Sequence, residues 1–402
     1  MKRWRIWMVC WMTGLILVAG AGEASGQAKT AEYCPAGFVS VLAFGAKGDG
    51  ATDDTQAFRW AAQSGNGIFV PAGDFRISDS VVLDSRVMIG AGEGKSVITF
   101  TGEDARKPIV MAGSYASLRD LTLRFAEGLV TGEEQEGDRT AILTGAKWGL
   151  QRGASLRRVT LENVGTGVFA AEGTDALVAE NGISEAGAFS VTFEDVTVRD
   201  FSWRGFYFSG KTRTGNVFRN LYFTSRFDAD SALYFTGEES ESVVEGILLE
   251  NVRAARPIYM YGMRANKFGS IALYHTEVTA ANNALITLED TNGAIDALTV
   301  RNCRAGQMLL RVGRGDYEYG TGKGSPTSWL KIGTLTLDTV AGENPVPENF
   351  AFIGRRSGDK GAYAVKIDRY LYAPGQGDGA RYRSFLCTGD ALTVTVKEAA
   401  EL

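Results

Sequence analysis

The chain has 402 residues, with 42 Lys and Arg against 47 Asp and Glu, a net charge of −5 and a single histidine. A balance this mild and evenly mixed excludes a basic nucleic-acid-binding stripe and an acidic interaction tail. Fifty glycines, 8 prolines and many short Val/Ile/Leu/Phe runs between polar turns exclude a helical bundle and indicate an all-β chain of many short strands.

In chain order, the first element is a leader. Met1, Lys2, Arg3 and Arg5 give a positive start, residues 12–22 are an apolar run, and Ala19, Ala21, Ala24 and Gly26 are small. This pattern reads as a secretory signal peptide over residues 1–26, cleaved after Gly26. No cysteine closes the apolar run, so no lipid anchor is expected, and no later run reaches the roughly 20 apolar residues of a spanning helix. The mature chain is expected to be secreted or periplasmic, without membrane insertion. Cys34, Cys303 and Cys387 outlast the leader, an odd number that allows at most one disulfide within the chain. They stand too far apart for a metal knuckle, and Cys303 reads as a buried thiol.

Residues 41–50 run from a strand into a Gly-rich turn, and a helix follows. Asp53, Asp54 or Thr55 is placed to cap it, Phe58, Ala61 and Ala62 form its apolar face, and Gly65, Asn66 and Gly67 end it. Asp49, Asp53 and Asp54 therefore read as turn and cap residues rather than a catalytic trio. No Gly-Lys-Thr/Ser follows the turn, which rejects a phosphate-binding loop. Residues 68–77 then give a strand, a Pro-Gly turn and another strand.

The run G-A-K-G-D-G-A-T-D-D-T-Q-A-F (residues 45–58), followed by F-V-P-A-G-D-F-R-I (residues 69–77), resembles the N-terminal signature of the pectate lyase superfamily. The likeness is to its pectin-lyase-like, rhamnogalacturonase- and epimerase-like members. The resemblance implies a right-handed parallel β-helix with a short N-terminal capping helix.

Independently of the resemblance, the middle of the chain repeats. Short apolar segments ending in Asp or Asn recur as T-L-E-N-V (160–164), V-T-F-E-D-V (191–196), V-F-R-N-L (217–221) and L-L-E-N-V (248–252). Y-H-T-E-V (274–278), T-V-R-N-C (299–303) and T-L-D-T-V (336–340) continue the series. Positions 195, 220, 251, 277 and 302 are separated by 25, 31, 26 and 25 residues, one coil of a β-solenoid per step. This alignment places Phe193, Phe218, Leu249, His275 and Val300 inward, which makes the single histidine a buried structural residue. It places Glu194, Arg219, Glu250, Thr276 and Arg301 outward, and Asp195, Asn220, Asn251 and Asn302 at a bend. The solenoid domain is set at residues 38–342, and residues 343–402 are read as its C-terminal coils and closing segment, with strands near 363–372 and 391–396.

A second strand recurs in each coil: G-F-Y-F (205–208), A-L-Y-F (232–235), P-I-Y-M (257–260) and A-L-I-T (284–287). With Phe206, Leu233 and Ile258 inward, Tyr207, Tyr234 and Tyr259 form an outward row, a platform for the apolar faces of sugar rings or else a ladder that only stabilises the sheet. Arg204 and Arg256 lie two coils apart, about 9.6 Å, flanking Asp228 and Asp230. Arginines so placed can neutralise a uronate carboxylate, as a lyase requires. Asp228 and Asp230, with Glu194 more remote, are the carboxylates a hydrolase would need; the alternative is an Asp-rich turn paired to Arg226 and Arg204. Tyr261, Arg264 and Lys267, with the segment 311–320, are assigned to the groove wall.

These features favour an exported polysaccharide lyase or glycoside hydrolase acting on a uronate-containing polysaccharide. The alternatives are a non-catalytic carbohydrate-binding surface protein and an exopolysaccharide epimerase. Two familiar signatures are missing: Asn-Thr-Asp with Asp-Asp, Gly-His-Gly and Arg-Ile-Lys, and the Arg-X-Pro-X-X-Arg of calcium-dependent pectate lyases. No resident cofactor is expected, calcium being the one ion left open, and the solenoid is expected as a monomer or a trimer.

Overall fold

Successive coils stack strand on strand, each pairing in parallel with its counterparts one coil before and one coil after. The protein is thus a right-handed parallel β-helix. It is seen in a computed structural model that describes residues 34–144, 152–170, 190–208, 212–236, 238–240, 242–264, 266–289, 291–306, 308–313, 327–341, 351–355, 362–373 and 392–402. The leader, Cys387 and the segment 314–326 lie outside the described residues. Among those described, no helix is long and apolar enough to cross a membrane.

Three sheets line one core. In the first, Leu118, Leu156, Phe193, Phe218, Val244, Phe268 and Ile295 stack inward. The second stacks Leu123, Leu161, Val198, Phe223, Leu249, Leu273 and Val300. The third stacks Val168, Phe206, Leu233, Ile258, Ile286 and Leu310. Alternation of side chains across a strand puts every second residue into this core, and all of those named are buried.

Two bends turn the chain, and both need a left-handed residue. Asp120, Arg158, Asp195 and Asn220 join the first sheet to the second with φ of 59°, 50°, 56° and 52°. Asn163, Asp200, Asn251, His275 and Asn302 leave the second sheet with φ of 51°, 50°, 54°, 48° and 51°. Asn and Asp tolerate this conformation best after glycine, so both bends select the same residue types. At the first bend Asn220 Nδ2 donates to Asp195 Oδ1 at 2.8 Å, and Arg158 grips Asp120 at 2.5 and 3.0 Å.

That shared preference explains where the sequence alignment slips. Asp195 and Asn220 belong to the first bend, whereas Asn163, Asn251 and Asn302 belong to the second. The 31-residue step therefore crosses from one bend to the other. The true counterparts of Phe193 and Phe218 are Val244, Phe268 and Ile295, in steps of 25, 26, 24 and 27 residues. His275 is not inward: it is exposed at the second bend, and the fully buried Thr276 takes the interior beside it. The alternating outward charges are real, with Glu245 rather than Glu250 as third member. Arg219 lies 4.0 Å from Glu194 and 2.6 Å from Glu245, and Arg157 lies 3.5 Å from Glu194.

The helix Thr55–Gln63 covers the first coil, burying Ala57, Phe58 and Ala61, with Phe58 edge-on to Phe75 at 5.7 Å. The acidic trio here is structural. Asp49 accepts from the Thr52 and Ala51 N–H groups, which hold its carboxyl down at about 2. Asp53 accepts from the Thr55 N–H at 2.9 Å and from the Ser78 hydroxyl. Asp54 is buried and accepts from the N–H groups of Lys47 and Gly48 at 2.7 and 3.0 Å. Gly48 has φ of 60°, and a Cβ there would stand 2.6 Å from the Phe75 ring, so the turn packs directly on the core. Asp54→Ala would strand two N–H groups that bond a charged acceptor. It is expected to cost about 3 kcal/mol, read as a lower urea midpoint.

Cys303 is buried, its thiol donating to the Leu273 carbonyl at 3.4 Å, and burial pushes that thiol up to about 11. Cys34 and Cys303 are both free thiols.

Candidate functional site

The outward face of the third sheet carries an aromatic row. Phe169, Tyr207, Tyr234 and Tyr259 occupy successive coils in register, and Thr287 follows Tyr259. Ile286 faces inward, so the fourth segment of the sequence alignment is one residue out of step with the third. Ring centroids are 4.7, 5.4 and 5.0 Å apart along the row, and Tyr234 and Tyr259 are stacked. The tyrosines point away from the main core as expected, yet they do not form an open platform. Tyr207, Tyr234 and Tyr259 are only 8, 8 and 6% exposed, and Tyr261 is buried in the same cluster.

Arginines cover the rings. The Arg204 Cζ sits 4.3 Å from the Tyr207 centroid and 3.8 Å from that of Tyr234. The Arg256 Cζ sits 5.1 and 5.4 Å from the centroids of Tyr234 and Tyr259. A guanidinium over an aromatic face gains from the ring quadrupole, and more where water is excluded. The row thus cradles cations rather than offering bare rings to sugars.

Asp230 joins the two arginines. Arg204 Nε donates to its Oδ2 at 2.7 Å and Arg256 Nη2 to its Oδ1 at 2.6 Å, while the Ser231 hydroxyl reaches Oδ2 at 3.3 Å. The side chains of Arg204, Asp230 and Arg256 are 5, 9 and 29% exposed. Burial pushes the Asp230 carboxyl up, but the charges of Arg204 and Arg256 and their hydrogen bonds outweigh it, holding it below the ordinary carboxylate range. Asp230 is therefore ionised at neutral pH and is unsuited to act as a general acid.

Asp228 does not share this site. It is exposed and bonded to Arg253 at 2.6 Å, and Arg253 also contacts Glu277 at 3.3 Å, an ion ladder on the coil surface. The expected Asp228–Asp230 hydrolytic pair is thus divided between a surface ladder and a buried clamp. Glu194 lies in the ladder of the first sheet, away from the tyrosines. Arg226 pairs with Asp200 at 3.8 Å, not with the 228–230 turn. Lys267 is exposed on the first sheet, in register with Val243 and Ala294, and so is not on the tyrosine face. Arg264 pairs through its backbone with Ser240 in a small separate sheet; its side chain lies outside the described residues.

Three carboxylates here had no sequence signal. Glu136 lies 3.2 Å from Arg204 Nη1 and accepts from the Tyr207 hydroxyl at 3.4 Å, although 68 residues separate it from Arg204. Glu134 accepts from the N–H groups of Thr131 and Gly132 and from the Ser202 hydroxyl, fixing its loop beside the third sheet. Glu289 is buried and accepts from the Tyr259 hydroxyl at 3.4 Å. Coil stacking and a loop crossing bring these groups together. Among the described residues, no cluster of three or more His, Cys, Asp or Glu is placed to hold a metal ion.

A parallel solenoid with a charged, aromatic face on one sheet defines a pectate-lyase-like β-helix. The chain belongs to the rhamnogalacturonase A/epimerase, pectate lyase-like family, whose model matches residues 38–254. It is 45% identical over 74 residues to the pre-neck appendage protein of Bacillus phage phi29, covering 18% of this chain and 9% of that protein. It is 30% identical over 168 residues to mannuronan C5-epimerase AlgE3 of Azotobacter vinelandii, covering 37% of this chain and 9% of that enzyme. The chain thus spans less than a tenth of the length of these two relatives. Among solved structures, the gp42 tailspike of Acinetobacter phage vb_AbaP_AS12 shares the fold, with a TM-score of 0.54, 12% identity, and coverage of 92% of this chain and 58% of that one.

Proposed function

We propose that this is an exported carbohydrate-active enzyme that lays a uronate-containing polysaccharide along the third sheet and removes the proton α to a uronate carboxylate. One observation carries the reading: Arg256 is locked in place by Asp230 and two tyrosine rings, yet it keeps 29% of its side chain exposed. Asp230 engages one N–H of Nη2 alone, so the second Nη2 N–H and the nitrogen beside it on the other edge can meet a carboxylate in the bidentate fashion suited to guanidinium. Neutralising that carboxylate makes the α proton removable, and Glu136, the exposed carboxylate beside Arg204 and Tyr207, is the group on this face that takes it. Loss of the O4 substituent then gives an unsaturated product, and reprotonation on the other face gives the epimer. Hydrolysis needs one carboxylic acid kept protonated beside one carboxylate; Asp230 is held ionised and Asp228 is committed to Arg253. The mannuronan epimerase among the relatives adds weight to chemistry at a uronate carbon. Burial of the tyrosines favours a second reading, saccharide binding without turnover.

The test is a polysaccharide panel with the purified protein, with and without calcium, read for 4,5-unsaturated uronide absorbance, reducing ends and C5 configuration by NMR. Absorbance or epimer formation on uronate polymers supports the reading. Reducing ends alone would replace it with hydrolysis, and binding with none of the three would leave a lectin-like protein. Arg256→Lys is expected to lower kcat/KM on the responsive polymer by about 100-fold, since a point charge cannot hold Asp230 and a substrate carboxylate together.

A further inference from the structure

The second sheet carries a concavity of about 350 Å³ on its outward face, lined by Arg76, Thr99, Arg124 and Glu162 among others. These four occupy successive coils in register. Elsewhere on the solenoid, opposite charges on adjacent strands bond directly, as Arg219 does with Glu245. Here they do not. Arg124 turns from Glu162 on the next coil and reaches back two coils to Asp74, with Nη2 2.7 Å from Oδ2. Its Nε donates to the Thr99 hydroxyl at 3.0 Å, and that hydroxyl donates to Asp74 Oδ1 at 2.6 Å.

This closed triad leaves Arg76 and Glu162 on either side of it, about 14 Å apart at the strand spacing, with Asp53 and the exposed Arg199 as their next neighbours in register. Among the described residues neither Arg76 nor Glu162 has a side-chain hydrogen bond or ion pair, and both are half-buried against the concavity. The wall at the second bend is fixed: Asn163 Nδ2 donates to the Phe125 and Ala126 carbonyls at 3.1 and 3.2 Å, and Arg226 Nη2 donates to Asn163 Oδ1 at 3.2 Å.

We propose that this groove is a second saccharide-binding site, independent of the third-sheet chemistry. Its charges choose the ligand class. Arg124–Asp74 and Arg226–Asp200 cancel as pairs, leaving Arg76 against Glu127 and Glu162. A strong anion such as phosphate meets net repulsion there, and an apolar ligand leaves the charges desolvated and unpaired. A hydroxyl-rich chain offers donors to the carboxylates and acceptors to Arg76 at once. The length of the row across the coils suits an oligosaccharide better than a single sugar. Cross-strand partners left unbonded also mean that these side chains contribute little to the fold, so they can be changed without unfolding it.

The test measures binding of soluble alginate, polygalacturonate and dextran to the full chain by calorimetry and affinity electrophoresis, for wild type, the double variant Arg76→Ala/Glu162→Gln, and Arg256→Ala. The expected result is a loss of about tenfold or more in affinity for at least one polymer in the double variant, with an unchanged melting curve. Turnover of a short oligosaccharide, where the third sheet supports it, stays at the wild-type value. Unchanged affinity in the double variant, with Arg256→Ala alone weakening binding, overturns the groove and leaves the proposed function standing. Unchanged affinity in both variants, or no wild-type binding to any of the three, overturns both.

Discussion

On the proposed function, Asp230→Ala is expected to abolish turnover of the responsive polymer, and it is expected to cost about 3–5 kcal/mol of stability, the range for removing one partner of a buried ion pair. Two guanidiniums depend on this carboxylate, and one of them, Arg204, is 5% exposed. Without it, Arg204 keeps Glu136 as a partner, but Arg256 loses its anchor and only the ring faces of Tyr234 and Tyr259 hold it. Asp230→Asn separates charge from shape. It keeps the side chain's size and one accepting oxygen, but it leaves a buried cation and a part-buried one facing a neutral group, so a loss nearer that of alanine than of a surface change is expected. The pH dependence follows from the lowered carboxyl. A group whose folded value lies below its unfolded one contributes stability that is fully present above the unfolded value, near 3.9, and is lost as pH falls through the folded value. Wild type should therefore lose stability steeply below about pH 4, and Asp230→Asn should show a flatter acid limb in urea titrations at each pH.

Much of the architecture was legible because solenoid coils repeat one physical requirement. Alternation of inward and outward residues is local, so the strands around Phe193, Phe218 and Phe206 could be read directly. The bend residues were legible as a type but not as a place. Two corners per coil both demand a left-handed residue, and Asn or Asp answers at each, so Asn220 and Asn251 looked equivalent while lying at different corners. His275 is a separate slip within the second corner: its coil runs 24 residues from Asn251, and two positions of slip moved an exposed corner residue into the interior. At the site, Arg204 and Arg256 were legible because their spacing matches the coil length, with Ser231 in register with Arg204 and Asp230 beside it. Asp228 was misplaced because two residues along a strand share a side, but beside a corner they no longer share a neighbour. Glu136 had no signal at all, since a loop between strands carries it to Arg204 with no periodicity. The tyrosine row was found, but its burial was not, because the covering arginines belong to other positions of the same coils.

Phe193→Ala is expected to cost about 3–5 kcal/mol, the usual range for deleting a fully buried aromatic ring. Phe193 meets Phe218 on the next coil of its own sheet at 5.7 Å, and across the core it meets Phe206 and Phe208 at 5.7 and 5.9 Å. It thus ties the first sheet to the third within one coil, directly behind the strand that carries Arg204 and Tyr207. Each coil of a solenoid is held chiefly by its neighbours, so the loss should be local before it is global. Hydrogen exchange should accelerate first in the strands Thr192–Phe208 and Val217–Thr224, with the coils around Phe100 and Val300 protected as in wild type. Phe193→Leu keeps most of the volume and should cost less than half as much. Because Phe206 follows Arg204 by two residues on one strand, the alanine variant should also lose turnover while the leucine variant keeps it. If instead alanine loosens the coil and turnover of the responsive polymer is unchanged, the buried clamp does not depend on the core beneath it, and the geometry of Asp230 is set by the third sheet alone.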